Sequence, residues 1–211
     1  MAPVRRTAER TEELRASLIE VAQRIVARDG ASALTMRALA AEAGCAVGLP
    51  YKVFANREEL VAELISVEFV RLREAFDRLV AQAGTRTVGR NLGRYANLLL
   101  GSPSIALAHE IAHDEELSRA INAKAGETGV VASVVSTVVD YLAAEKRLGR
   151  VDPDVDEHAF GFLVAGAVHN LLVSGEPYPR PTARRLQRML AAVATRLAPT
   201  KQLEQTHADD P

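Results

Sequence analysis

Apolar positions recur at steps of three and four residues along nearly all of the 211-residue chain, the spacing that gathers them on one face of an α-helix. Even the Val-rich stretch 130–139, which β-propensity would favour as a strand, obeys this rule. Val131, Val134, Val135, Val138 and Leu142 fall on one helical stripe, and the pattern runs on into YLAAEKRLG. No segment alternates with a period of two between turn signals. The fold class expected is therefore all-α.

Cap and turn residues divide the chain into about nine helices. The first is expected over about residues 12–28, stopping at Asp29-Gly30, where glycine can take the left-handed capping conformation. The second follows Thr35 as N-cap and ends near Ala43-Gly44. A short third covers about 46–54, a fourth runs from Arg57 to about 83, and a fifth spans about 88–100. Gly101-Ser102-Pro103 breaks the chain before a sixth that reaches His113, and Asp114 caps a long seventh ending at Leu148-Gly149. An eighth follows DPDVDE and reaches about 173; a ninth covers about 182–197 after the stiff connection SGEPYPRP. Three parts result: a small module over 1–56, a helical body over 57–199, and a polar tail over 200–211 expected to lack order.

Composition adds limits. With 48% apolar and 25% charged residues the chain is globular and not intrinsically disordered. The single cysteine, Cys45, allows no intrachain disulfide and suits a reducing compartment. No apolar run follows Arg5 and Arg6, and the apolar stretches 130–142 and 159–173 are short and interrupted. Neither a signal peptide nor a membrane span is expected, and the expected location is the cytoplasm. A net charge of −1 argues against a wholly basic chain, yet residues 1–57 hold nine Arg or Lys against six acids.

The informative stretch is LIEVAQRIVARDGASALTMRALAAEAGCAVGLPYKVFANREEL, residues 18–60. It reads as a helix, a capped short helix, a glycine turn and a second short helix. Ala40 and Gly44 are small where two short helices cross, and Gly44 permits a positive φ at the bend. Leu39, Cys45, Pro50 and Phe54 can close a small core with Leu18, Val21 and Ile25. With Pro50 and Phe54 inward, Val47, Gly48, Tyr51 and Lys52 are left facing out, on an object the size a DNA major groove accepts. Tyr51 and Lys52 suit phosphate contact. So do Arg57 at the start of the fourth helix and Thr35 and Arg37 at the start of the second. Arg5, Arg6 and Arg10 form a basic arm.

These residues resemble the N-terminal module of the TetR (tetracycline-repressor) family of transcriptional regulators. The resemblance rests on Thr35, Leu39-Ala40, Ala43-Gly44, Gly48, Tyr51, Phe54 and Leu60, at matching spacing over about forty residues. It implies a DNA-binding regulator, usually a repressor, that binds a palindromic double-stranded operator as a homodimer. It also implies that the helical body binds a small-molecule effector; no cofactor is expected. The chain departs from the pattern at several positions: Ala46-Val47 replaces Ser and a polar residue, Leu49 replaces Thr or Ser, and Arg57 replaces Lys. Base reading is then expected from Arg37, Lys52, apolar contact of Val47 with thymine methyls, and DNA shape. Pro50 stands in place of a usual Leu, within a first turn where its missing N–H is tolerable.

His109-Glu110-Ile111-Ala112-His113 matches the H-E-x-x-H pattern of zinc hydrolases, which sets two histidines on one helix face. No third ligand follows in a recognisable pattern, and no strand is available to flank a substrate cleft. Zinc hydrolysis and a helical adaptor without DNA binding are the alternatives to a regulator; partly exposed helix histidines, or an effector contact, explain the motif as well.

In the body, Phe69, Phe76, Tyr95, Leu99, Ile105, His109, His113 and Tyr141 mix aromatic bulk with polar handles and are the candidate effector pocket. Plain core is an equal explanation. The candidate dimer interface is Phe160, Leu163, Val164, Ala167, Val168, Leu171 and Leu172 of the eighth helix with Leu186, Met189, Leu190 and Val193 of the ninth. Two such pairs form a four-helix bundle.

Overall fold

The structure, a computed structural model, describes residues 3–101, 115, 118, 119, 130–174 and 178–199. Among them are seven α-helices and no strand: α1 (Pro3–Asp29), α2 (Met36–Glu42), α3 (Arg57–Val80), α4 (Val88–Leu100), α5 (Val130–Arg147), α6 (Glu157–Val173) and α7 (Ala183–Arg196). Single turns of 3-10 helix occur at Ala31–Ala33 and Pro50–Lys52. The class is all-α as expected, but the helix count differs. The expected sixth helix and the first part of the seventh lie mostly outside the described residues. The expected third helix, over 46–54, is only a 3-10 turn.

The first helix also starts earlier than expected, at Pro3 rather than near Glu12. Nothing in VRRTAER breaks a helix, and proline is favoured in a first turn. The expected basic arm at Arg5, Arg6 and Arg10 is therefore helical in its backbone.

Helix ends follow the cap chemistry of the sequence. Thr35, Thr87 and Thr182 accept from the amides of Ala38, Arg90 and Arg185, and the Asp156 carboxylate accepts from His158 and Ala159. At the end of α2, Gly44 has φ 65°. Its N–H donates to Ala41 O at 3.2 Å while the Cys45 N–H reaches Ala40 O at 2.9 Å. These two bonds make a Schellman cap, which only a left-handed residue can close. Gly149 (φ 69°) closes α5 in the same way.

The chain divides into two compact units: residues 1–69 with 102–127, and residues 70–101 with 128–211. The division falls inside α3. In the first unit Leu18, Val21 and Ile25 of α1 are buried with Leu34, Leu39, Phe54, Leu60 and Leu64. Each such fully buried Leu or Ile contributes about 2 kcal/mol by leaving water. In the second unit α5 lies along α6 and α4 along α7. Glycines set both approaches: a Cβ on Gly161 would stand 2.5 Å from Val139 Cγ2, and one on Gly89 would stand 2.7 Å from the Ala191 Cα. Among the described residues no helix is long and apolar enough to cross a membrane.

Candidate nucleic-acid interface

The cap at Gly44 ends α2 and starts the segment that sequence reading assigned to DNA. Leu49 N–H donates to Ala46 O at 2.8 Å, Lys52 to Leu49 at 3.0 Å and Val53 to Pro50 at 3.0 Å, all i to i+3. Pro50 has no N–H to give Ala46, and its own carbonyl accepts from Val53 and, in one α-type bond, from the Phe54 N–H at 2.9 Å. The segment tightens into 3-10 and turn geometry, which corrects the expectation that the short helix survives Pro50.

The facing is nevertheless the one expected. Pro50 and Phe54 are buried, whereas Val47 is 49% and Tyr51 54% exposed; Gly48 and Lys52 are exposed too. Thr35 and Arg37 are exposed at the start of α2, where the Thr35 hydroxyl oxygen accepts from Ala38 N–H at 3.0 Å. Arg57 is turned inward: its Nε donates to Leu34 O at 2.8 Å and a terminal nitrogen to Ala31 O at 3.3 Å. It ties the first turn of α3 to the link between α1 and α2, a role the sequence reading missed.

Two further arginines organise this unit. Arg28, at the end of α1, grips both oxygens of Glu42 at 3.1 Å and also pairs with Asp29. This holds the Glu42 and Asp29 carboxyls below their ordinary range, hydrogen bonding to Arg28 being the main cause. Arg15, in the middle of α1, donates to Val53 O at 3.0 Å and to Glu63 Oε2 at 3.3 Å, and stands 3.9 Å from Glu59. Its guanidinium carbon lies 5.0 Å over the Phe54 ring. The sequence held a signal for it: Arg15 precedes Leu18 by three residues, so it is a charge on the inward stripe of α1.

In the second unit Phe76, Tyr95, Leu99 and Tyr141 are buried, as Phe69 is in the first. Phe76 and Tyr95 stack with centroids 5.2 Å apart. Tyr95 donates to Val134 O at 3.0 Å and Tyr141 to Glu145 Oε1 at 2.6 Å. Burial pushes both phenols well above their ordinary value. Both hydroxyls are thus committed to the protein's own groups. Ile105, His109 and His113 lie outside the described residues, and so does the H-E-x-x-H motif. Among the described residues no group of three His, Cys, Asp or Glu is placed to hold a metal.

The candidate dimer residues separate by exposure. Val164, Val168, Leu186 and Leu190 are buried within the second unit, and Phe160, Leu171, Leu172 and Val193 are half-buried. Leu163 (63%), Ala167 and Met189 are exposed, and they are joined by Phe162 (67%) and Gly166. Phe162 escaped the sequence reading although it stands four residues before Gly166, on the stripe opposite Val164 and Val168.

Residues 18–64 match the model of the tetR family of bacterial regulatory proteins. No curated protein matches the chain in sequence. A structure from Mesorhizobium loti MAFF303099, assigned to the tetR-family transcriptional regulators, superposes with a TM-score of 0.66 at 15% identity, covering 89% of this chain and 96% of that one. The transcriptional regulator FadR from Bacillus subtilis, in complex with stearoyl-CoA, gives 0.58 at 17% identity, covering 87% and 97%. A regulator from Saccharomonospora viridis, in complex with choline, gives 0.59 at 19% identity, covering 87% and 96%. At these identities the structures establish a shared fold.

Proposed function

We propose, from the match of residues 18–64 to the model of the tetR family of bacterial regulatory proteins and from the fold shared with solved structures assigned to that family, that the chain is a ligand-responsive transcriptional repressor. It binds a palindromic double-stranded operator as a homodimer and is released by a small-molecule effector. Residues 1–56 touch DNA, and residues 57–199 sense and dimerise, in the cytoplasm.

The observation that carries this reading is the outward set Val47, Gly48, Tyr51 and Lys52 on a turn anchored by buried Pro50 and Phe54. Tyr51 and Lys52 bring a hydroxyl and a cation to phosphate. Val47 brings methyl groups to thymine, and Arg37 a second cation. One such turn reads few base pairs, so two copies related by a dyad are needed to read half-sites about 34 Å apart. The exposed stripe Phe162, Leu163, Gly166 and Ala167 supplies an apolar face for that pairing. The complexes of relatives of the same fold with stearoyl-CoA and with choline support a small-molecule effector. Its binding favours a geometry in which the paired turns no longer match successive grooves.

Titration of the protein against the DNA upstream of its own gene tests the reading. Tight binding that weakens steeply with salt is expected. Absent binding, or binding indifferent to salt, overturns it.

A further inference from the structure

We infer that Arg15 is a positioning residue for DNA reading: it sets the angle of the recognition turn by holding its last buried carbonyl. The inference rests on the proposed function and adds to it a residue that does not face DNA.

The recognition turn ends on an orphaned acceptor. A turn closed by i to i+3 bonds and followed by a new helix leaves its final carbonyls without intrahelical donors. Val53 is the last residue of that turn, 8% exposed, and water has little access to it. Arg15 reaches across from α1 and donates to Val53 O at 3.0 Å. The same guanidinium donates to Glu63 on α3 at 3.3 Å and lies over the ring of Phe54, the turn's inward anchor. One side chain thus ties α1 to the end of the turn and to the helix after it.

The next link is equally local. Glu59, 3.9 Å from Arg15, accepts from the Ala55 N–H at 2.7 Å and donates its own N–H to Asn56 Oδ1 at 2.8 Å. Asn56 thus caps α3, and the Glu59 side chain reaches back to the amide that directly follows Phe54. The chain from Val53 to Glu59 is therefore gripped at a carbonyl, a ring and an amide. Only a planar fork serves several acceptors at fixed angles while stacking on a ring; an ammonium is a point charge on a loose stem. Arg15 is only a quarter exposed and two carboxylates flank it. Its charge is thus occupied inside the protein and does not serve phosphate.

Full-length Arg15→Lys, Arg15→Gln and Glu63→Gln variants test this. The readouts are affinity for the upstream operator, affinity for scrambled DNA of equal length, the salt slope, and amide exchange. Arg15→Lys is expected to weaken the operator complex about tenfold, leave scrambled DNA unchanged, and keep the salt slope. Glu63→Gln should give a smaller loss of the same kind. A loss that falls equally on both DNAs, or a slope reduced by about one, would mean a phosphate contact and overturn the inference. So would an unchanged operator affinity in a folded Arg15→Lys protein.

Amide exchange separates this inference from the function it rests on. In Arg15→Gln the amides of Lys52, Val53 and Phe54 should exchange at least about tenfold faster while those of α1 and α2 hold. Uniform acceleration across the unit would show general stabilisation and overturn the positioning role. If the unaltered protein binds no DNA, the regulator reading fails, and the exchange experiment still decides whether Arg15 fixes the turn.

Discussion

The Tyr141 hydroxyl donates to Glu145 Oε1 at 2.6 Å, and neither residue is exposed to solvent. Arg150 stands 3.3 Å from the other carboxylate oxygen, so a buried charge is compensated from both sides. Burial, then the bond to Glu145, raises the phenol's pKa. Tyr95 is raised by burial alone. A raised value in the folded state means stability that is complete below the unfolded phenol's pKa, near 10, and lost as pH climbs above it. Alkaline titration followed at 295 nm and by far-ultraviolet circular dichroism should show these two tyrosines ionising together with helix loss. Tyr141→Phe leaves Glu145 short of a donor and should cost about 1–3 kcal/mol in urea unfolding at neutral pH.

Two helix glycines separate crowding from conformational freedom. Gly89→Ala gains about 1 kcal/mol of helix propensity. Its new methyl meets the Ala191 backbone, which cannot yield, so net destabilisation of about 1–2 kcal/mol is expected. Gly93→Ala meets only the tip of the Gln187 side chain. That tip can swing away, giving up its bond to Gly89 O, and the variant should fall closer to the unaltered protein by thermal melting.

Gly44→Ala is a contrasting case. A Cβ there meets nothing within 4 Å, but φ is 65°. The cost is conformational, about 1–2 kcal/mol, and should appear in unfolding of the N-terminal unit. Operator affinity measured well below the melting temperature should fall less than it does for a contact residue.

At the recognition turn, Lys52→Ala should lower operator affinity and reduce the salt slope by about one, as expected for a lost phosphate contact. Tyr51→Ala should weaken binding about tenfold with the slope retained, since it removes a hydroxyl and a ring without changing charge.

Pairing through α6 is tested by Phe162→Ser with Leu163→Glu. Both side chains are largely exposed in the single chain, so monomer stability should change little. Sedimentation velocity should report a shift to monomer, and operator binding should fall with it. An unchanged dimer would place the interface elsewhere.

The legible part of the fold was the part written in local chemistry. Thr35 announced one helix start, and Gly44 and Gly149 two ends, because caps depend on residues within one turn. The outward facing of Val47, Tyr51 and Lys52 followed from where Pro50 and Phe54 had to go. What the sequence concealed depends on long-range partners. Arg57 looked available for phosphate until its two backbone carbonyls were known. Arg15 counted only as charge until Val53 and Glu63 stood beside it. Val164, Leu186 and Leu190 carried the same apolar stripe as a subunit interface would, and periodicity does not distinguish a neighbour in the same chain from one in another. Pro50 was weighed as a first-turn residue, and it is one, but the turn it opens is 3-10 and not α.

If the proposed function holds, the tight turn that Pro50 opens limits how much text the protein can read. A single tight turn offers the groove little more than a phenol, an ammonium and an isopropyl group, with Arg37 beside them. A reader with so small a vocabulary forgives spelling changes in its target. Under the proposed function, an operator half-site that changes at a position outside this small set of contacts should keep most of its affinity.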